Sequence, residues 1–231
     1  MTLLAPFGPG IWLSEGPVVP FHSFPFPTRM VVIRLADGQL FIWSPIALTP
    51  ELRAEIDALG PVAHLVSPNK IHHLYMGDWK QAYPVARLYA SPGLPQRRRD
   101  LAFDAVLGDA PEPAWAAEID QVAMLGSFVM TEIVFFHRAS ATVIFADLIE
   151  NFPRGWFKGW REWVGRLDGF VQPQMGAPRE WQLSFWNRKA ARRALERILA
   201  WAPRQVIIAH GDLARSGGTA FVARGFSWLR H

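Results

Sequence analysis

The sequence contains no cysteine, and this absence removes several chemistries at once. Disulfide bonds, thiolate metal sites and a cysteine nucleophile are all excluded. A chain without cysteine also fits a reducing compartment. The first 20 residues hold several prolines and glycines and no basic stretch before an apolar run, so no secretory signal is indicated. We therefore expect a cytoplasmic protein.

Long apolar runs and strong net charge are also missing. No apolar run approaches the roughly 20 residues that span a bilayer, so we expect no transmembrane segment. Only 19% of residues are charged while 50% are hydrophobic, so the whole length should fold. The net charge is only +4, and the basic clusters at residues 97–99 and 188–193 are typical of solvated surface. A nucleic-acid partner is therefore not favoured.

Short apolar runs rich in β-branched residues predict strands between turn and helix signals. Asp37-Gly38 predicts a hairpin turn, and Thr49 followed by Pro50 predicts the start of a helix. A second long helix is predicted over residues 188–201. The predicted strands cover residues 30–35, 40–43, 62–66, 86–90, 121–125, 132–137, 142–147 and 205–209.

The strand predicted at residues 62–66 is almost wholly apolar. Such a strand is buried on both faces, which indicates a layered αβ architecture. No internal repeat or linker interrupts the pattern. One domain over residues 1–231 is the simplest interpretation, with a Trp/Arg-rich insertion at about residues 151–187.

Three of the predicted strands end in, or close to, side chains that bind metals. His72 and His73 follow the strand at 62–66, Asp147 ends the strand at 142–147, and His210 follows the strand at 205–209. Side chains at strand ends can converge from distant parts of a chain. Imidazole and carboxylate groups are ligands suited to zinc, iron or manganese.

With these segments the chain resembles the metallo-β-lactamase fold superfamily. It resembles more closely a bacterial and plant family of unassigned function that shares this fold. The closer resemblance rests on residues 27–30, 34–38, 44–45, 69–73 and 147–148. It implies an α/β protein, a four-layer αβ/βα sandwich with two mixed sheets.

The metal motifs of the superfamily are degraded in this chain. In the first motif, H-x-H-x-D-H, Pro68 and Lys70 stand where the superfamily has its two leading histidines. His72 replaces the aspartate, and His73 keeps the final histidine. The intermediate histidine of the superfamily has no counterpart here, and Glu132 is the nearest polar residue.

The resemblance implies a mononuclear site at most, because the ammonium of Lys70 would repel the first metal. Its ligands would be His73, Asp147 and His210, holding one zinc, iron or manganese ion. His72 either completes this set or points away along the extended chain. Each residue taken singly is also a common structural choice at a strand end or turn.

Two functions follow from this pattern. The first is a metal-dependent hydrolase of unassigned small-molecule substrate, with Lys70 and Asp212 as catalytic candidates and Asp78 as another possible base. Lys70 could hold an anionic substrate group beside the metal. The second is a catalytically silent binding protein, in which Lys70 recognises an anionic ligand and no metal is needed.

The segment 151–163 interleaves tryptophan with arginine and lysine. It could pack over the sandwich with its tryptophans inward, form a lid, or make a homodimer contact. It could also lie at a membrane interface or stack on bases. Lid or core packing is favoured, and exposure of the tryptophans in one patch would reverse this ranking.

Four other histidines have simpler interpretations. His22 packs among phenylalanines or lines a pocket mouth, and His64 belongs to a buried strand. His137 is expected to be exposed in a hairpin, and the terminal His231 carries no information.

Overall fold

The computed structural model describes residues 2–229, so His231 lies outside the described residues. Two β-sheets form its centre. The first sheet has seven strands in the order β1 to β7, and the second has four in the order β11-β10-β9-β8. The strands are β1 Ala5–Gly8, β2 Ile11–Phe21, β3 Phe24–Arg34, β4 Leu40–Trp43, β5 Val62–Val66, β6 Arg87–Ala90, β7 Ala105–Val106, β8 Ile119–Met124, β9 Glu132–His137, β10 Thr142–Phe145 and β11 Gln205–Ile208.

Both sheets are mixed, as the resemblance implies. Strands β1 to β4 pair antiparallel and β4 to β7 pair parallel. In the second sheet β10 and β11 are parallel, whereas β8, β9 and β10 are antiparallel. The helices are α1 Pro50–Leu59, α2 Met76–Ala82, α3 Leu94–Arg97, α4 Trp160–Asp168, α5 Arg179–Leu183, α6 Arg188–Ala200 and α7 Gly218–Gly225, followed by a 3-10 turn at Ser227–Leu229.

Alternation along the strands produces four layers. In β3, Val31 and Ile33 pack in the core between the sheets, whereas Met30 and Val32 pack on the outer side with residues of α1 and α2. Strand β9 divides in the same way, since Phe135 joins the central core and its neighbours join the core beneath α6 and α7. Because successive side chains of a strand point to opposite faces of the sheet, both faces of these strands are buried. The four-layer α/β sandwich is confirmed.

The predicted start of α1 is confirmed. Thr49 precedes the helix in an extended conformation, and its Oγ1 accepts the N–H of Leu52 at 3.2 Å. Pro50 occupies the first turn, where its missing N–H costs no helical hydrogen bond. Leu52 and Ile56 then bury one face of the helix against the first sheet.

The predicted exposure of His137 is wrong. His137 is 1% exposed, and its Nδ1 lies 2.8 Å from Ser140 Oγ. The reason is the position of β9, which has β8 on one side and β10 on the other, so that His137 pairs with both Ile119 and Thr142. His64 is buried, as expected for a core strand.

The tryptophans of the segment 151–163 do not pack inward, so the favoured core packing is wrong for them, and the lid stays a prediction. Trp156, Trp160 and Trp163 are 38%, 57% and 66% exposed. Phenylalanines fill the available core instead, in a cluster of Phe152, Phe157, Phe170 and Val171 that packs on Phe24 and Phe26 of β3. Within residues 2–229, no helix combines the length and apolar character needed to cross a membrane. The single-domain organisation and the insertion boundaries stay predictions.

Candidate metal site

Loops after three strands bring His72, Asp147 and His210 together. One ligand atom from each residue lies within 4.8 Å of the others. His72 Nε2 is 3.2 Å from Asp147 Oδ2, and His210 Nε2 is 3.1 Å from Asp147 Oδ1. The loop that carries His72 leaves the first sheet, whereas Asp147 and His210 follow the parallel strands β10 and β11. Two imidazoles and a carboxylate in this arrangement could hold a metal ion.

The outer nitrogens of both imidazoles are anchored. His210 Nδ1 lies 2.8 Å from the carbonyl oxygen of Pro27, and His72 Nδ1 lies 2.8 Å from Ser44 Oγ. A carbonyl oxygen only accepts, so the Nδ1 of His210 must carry a hydrogen. In the neutral imidazole the lone pair on Nε2 then faces the carboxylate of Asp147. A cation is needed between them, either a second proton on the ring or a metal ion.

Asn69 organises the floor of the site, and sequence reasoning missed it. Its Nδ2 donates to Asp147 Oδ2 at 2.6 Å and to Glu132 Oε2 at 3.1 Å. Its Oδ1 accepts the N–H groups of Ile71 and His72 at 3.0 and 3.2 Å, which turns the chain sharply after β5. Asparagine after a buried strand was the available signal, since its side chain commonly forms such turns.

The charges of Asp147, His72 and His210 act on one another at close range. Burial opposes ionisation of Asp147, but His72 and His210 hold the pKa of its carboxyl well below the usual range. Burial alone would lower the pKa of His72, yet the charge and hydrogen bond of Asp147 raise it. The site therefore favours a carboxylate facing positive charge.

Glu132 lies beneath Asp147 at the start of β9. Its Oε1 accepts the N–H of Ala146 and its Oε2 accepts the N–H of Asp147, both at 2.8 Å. Burial and the neighbouring Asp147 raise the pKa of Glu132 to about 7. Glu132 is the polar residue nearest to the position of the missing histidine. It fixes the backbone at Asp147 through these two hydrogen bonds.

A buried arginine fixes the loop that carries His210. Arg29 Nη1 donates to the carbonyl oxygen of Ile208, and at 3.1 Å to that of Gly211. Its Nε also pairs with Glu15 at 2.6 Å. Gly211 has a φ of +98°, and a Cβ there would lie 2.3 Å from the carbonyl oxygen of Asn151. Only glycine fits after His210.

The structure does not bring His73 into this group. Its Nδ1 lies 3.2 Å from Arg98 Nη1, and its carbonyl oxygen accepts from the same atom at 2.9 Å. Burial and the charges of Arg97 and Arg98 lower the pKa of the His73 ring. The turn made by Asn69 directs His72, not His73, toward Asp147. Metal binding by any of these residues stays a prediction.

The site opens into a cavity of about 1220 Å³, named here the central cavity. His22, Lys70, His73 and Arg97 line it together with the three clustered residues. Asp212, the other catalytic candidate, is exposed and accepts from Gln172 Nε2 at 2.8 Å. Neither Asp212 nor Asp78 is among the described residues that line the cavity. Most of the lining is apolar, so the cavity suits a largely apolar small molecule.

Glu150 is a second acid of the central cavity that sequence reasoning missed. It is 3% exposed, and its Oε2 has no hydrogen-bond partner within residues 2–229. Burial, and then the negative charges of Asp147 and Asp168, raise its pKa well above the usual range. Asp168 also lines the cavity, and burial raises its pKa to about 6. No sequence signal marked Glu150, because a single acid after an apolar run is typical of many loops.

Replacing Glu150 by glutamine should reduce the loss of stability at higher pH. The folded chain holds this proton more tightly than the unfolded chain, whose value is near 4.5. Wild-type stability therefore falls as pH rises above that value, and a glutamine removes this dependence. Urea unfolding at about pH 5 and about pH 8 measures this effect. The free energy of unfolding of the variant, relative to that of the wild type, should be higher at the higher pH.

The matched control is Glu196→Gln, the same change on the exposed face of α6. It measures the effect of removing a carboxylate that is exposed to water. A constant difference between Glu150→Gln and the wild type would contradict the assignment of a proton to buried Glu150.

The model of a family described as a domain of unknown function, DUF4336, matches residues 19–158, more than half of the 231 residues. The chain belongs to the DUF4336 family. The match includes His72 and Asp147 and ends before His210. No curated protein matches the chain.

Solved structures similar to this DUF4336 chain include metallo-β-lactamases and an oxidoreductase. That from Pontibacter korlensis is 12% identical with a TM-score of 0.63, covering 99% of this chain and 98% of that one. That from Hirschia baltica is 18% identical with a TM-score of 0.59, covering 96% and 97%. The rubredoxin oxygen:oxidoreductase from Desulfovibrio gigas is 12% identical with a TM-score of 0.67, covering 98% of this chain and 61% of that one. The predicted metallo-β-lactamase fold is thereby confirmed. Likeness at these identities concerns the fold alone.

Proposed function

We propose that this DUF4336 protein is a metal-dependent hydrolase with one metal ion in its site. The orientation of His210 carries the proposal. Its Nδ1 donates to Pro27, so its Nε2 faces the carboxylate of Asp147 at 3.1 Å and calls for a cation between them. The fold neighbours named metallo-β-lactamases support the same class of chemistry.

The residues present fit one divalent ion. His72 Nε2, His210 Nε2 and a carboxylate oxygen of Asp147 would hold it, and three protein ligands leave a position open for substrate. Zinc, iron and manganese are all compatible with this donor set. Such an ion supplies a Lewis acid that polarises a carbonyl or phosphoryl oxygen.

The chain itself supplies orientation and charge. Ser44 and Pro27 hold the two imidazole rings, and Asn69 and Glu132 hold Asp147 and its backbone. Second contacts of this kind fix the direction of metal ligands. Lys70 and Arg97 line the same cavity, where they would bind an anionic group of the substrate.

The second candidate is a silent ligand-binding protein. One observation favours it: both carboxylate oxygens of Asp147 already contact protein nitrogens, from His72, His210 and Asn69. If His210 carries a second proton, the cluster is electrostatically complete without an ion. The cavity would then bind its ligand through Lys70, Arg97 and the apolar wall.

Turnover of chromogenic substrates distinguishes the two. Protein reconstituted with zinc, iron or manganese should hydrolyse at least one of three probes, an aryl ester, an aryl phosphodiester or a lactam. Turnover should stop with a chelator and fall at least about 100-fold in His210→Ala, because one ligand is lost. Asp212→Asn should keep turnover within about twofold, because Asp212 is outside the cavity lining. Bound metal without turnover of any probe would contradict the hydrolase and leave the metal site standing.

A further inference from the structure

Helix α4 turns an apolar stripe toward solvent. Trp160, Trp163, Val164 and Leu167 follow the i, i+3, i+4, i+7 spacing that normally faces a core. Here they are 57%, 66%, 39% and 53% exposed, and Gly165 is the buried residue of the helix. An amphipathic helix with its apolar face outward needs a partner for that face.

A second exposed apolar group comes from other parts of the chain. Phe128, Val129, Leu183 and Trp186 are 68%, 44%, 74% and 84% exposed. The rings of Phe128 and Trp186 meet edge to face, with centroids 5.3 Å apart. The loop after β8 and the end of α5 thus present another apolar surface.

Members of both groups line the same cavity. Val164 and Leu167 of the first group and Val129 of the second all line the central cavity. Phe21 and Leu74 line it too, and they are 42% and 56% exposed. Exposed apolar side chains from four separate segments of the chain thus line one cavity, which fits an extended apolar layer better than a single bound peptide or helix.

The charges around α4 indicate the chemistry of this apolar layer. Residues 154–168 carry four cations, Arg154, Lys158, Arg161 and Arg166, against two acids. Three of the cations donate to main-chain carbonyl oxygens, which do not neutralise them. A second copy of this chain packed symmetrically would set these cations against themselves. An anionic lipid surface would neutralise them, and tryptophan is enriched at such interfaces.

We propose that this face docks on an anionic lipid bilayer. Helix α4 lies in the interface plane, with Trp160 and Trp163 among the acyl chains and the cations at the headgroups. The docked orientation sets the mouth of the central cavity against the lipid surface. This docking goes beyond the proposed function and does not depend on metal.

Vesicle co-sedimentation of the full chain tests the proposal. Vesicles of phosphatidylglycerol and phosphatidylcholine should bind the protein at least about tenfold more tightly than pure phosphatidylcholine, and about 0.5 M salt should weaken this binding. Trp163→Ser and Trp186→Ser, one from each group, should each weaken it about tenfold, since each variant lacks an exposed aromatic surface that the bilayer would bury. Lys158→Gln should lower binding and its salt dependence.

Val85→Ser is the matched control, because Val85 is 89% exposed and does not line the cavity. It should bind vesicles as the wild type does, and unchanged thermal unfolding of every variant would show that folding is intact. Equal binding by Trp163→Ser, or no binding to anionic vesicles, would overturn the proposal. A concentration-dependent dimer that Trp163→Ser abolishes would also overturn it and assign the face to a second copy. Metal-free protein gives the same readout, so failure of the hydrolase proposal is seen separately.

Discussion

Replacing His72 by alanine should abolish metal binding, whereas replacing His73 by alanine should leave it within about threefold of the wild type. His72 Nε2 lies 3.2 Å from Asp147, and its other nitrogen is anchored by Ser44. The ring of His73 instead lies against Arg98, a neighbour that disfavours a second cation. Calorimetric titration of metal-free protein with zinc measures both variants directly.

The pair forms its own control, because the two histidines are adjacent and the same chemical change is made at each. Circular dichroism and thermal unfolding would show that both variants fold. Loss of zinc binding in His73→Ala with retention in His72→Ala would mean that the ligand set implied by the sequence resemblance is correct. It would also mean that the turn at Asn69 differs from the one described.

Replacing Glu132 by alanine should lower the free energy of unfolding by about 3–5 kcal/mol. The change removes the acceptor of two backbone N–H groups and of Asn69 Nδ2, all in a fully buried place. Each orphaned buried donor costs about 1–3 kcal/mol. Urea unfolding at neutral pH measures the difference.

Glu118→Ala is the matched control for this loss. Glu118 also accepts a backbone N–H, that of Ala36 at 2.9 Å, but the pair is exposed and water can replace the carboxylate. Its cost should stay below about 1 kcal/mol. Equal costs for the two variants would show that the Glu132 network contributes no more than a surface contact.

Much of the central architecture could be predicted because it depends on local patterns. The runs at 30–33 and 40–43 are apolar at every position, and the structure divides each between two cores by alternation. The Thr49-Pro50 pair begins α1 for the reason expected, a side chain that caps the first turn. Each of these patterns spans only a few residues, so it can be recognised in the sequence without knowledge of the fold.

The long hairpin of β2 and β3 could not be predicted in the same way. Its outer half contains Gly16, Pro17 and Pro20, residues that argue against a central strand. They are tolerated because the pairing of β2 with β3 is interrupted between Glu15 and Val18, and because β1 pairs with residues 11–13 of β2, before this outer half. The spacing of Trp160, Trp163, Val164 and Leu167 was the available signal for α4, whereas the five residues of α5 are too few for a helical period to show.

The site shows the same division between local and distant information. Convergence of Asp147 and His210 follows from strands β10 and β11, which lie side by side in parallel. The choice between His72 and His73 depends on the direction of one turn, which Asn69 sets through hydrogen bonds to two backbone groups. The superfamily motif keeps a histidine at position 73, so the resemblance favours His73 as the ligand. The type of a residue does not show in which direction its side chain points.

Partners from remote segments are the part that no local pattern reveals. Pro27 and Ser44 anchor the two imidazoles from β3 and from the chain after β4, far away in sequence. Arg29 reaches 179 residues along the chain to the carbonyl of Ile208. Such contacts depend on how the two sheets pack, so they become visible only in the folded structure.

Elemental analysis of the protein, purified without a His-tag and without added metal, shows directly whether the site holds a metal ion. We expect about one equivalent of zinc, iron or manganese in the wild type and none in His210→Ala. Protein that holds no metal, takes up none on titration and shows a doubly protonated His210 ring by NMR would contradict it. That result would mean that a proton occupies the place between His210 and Asp147.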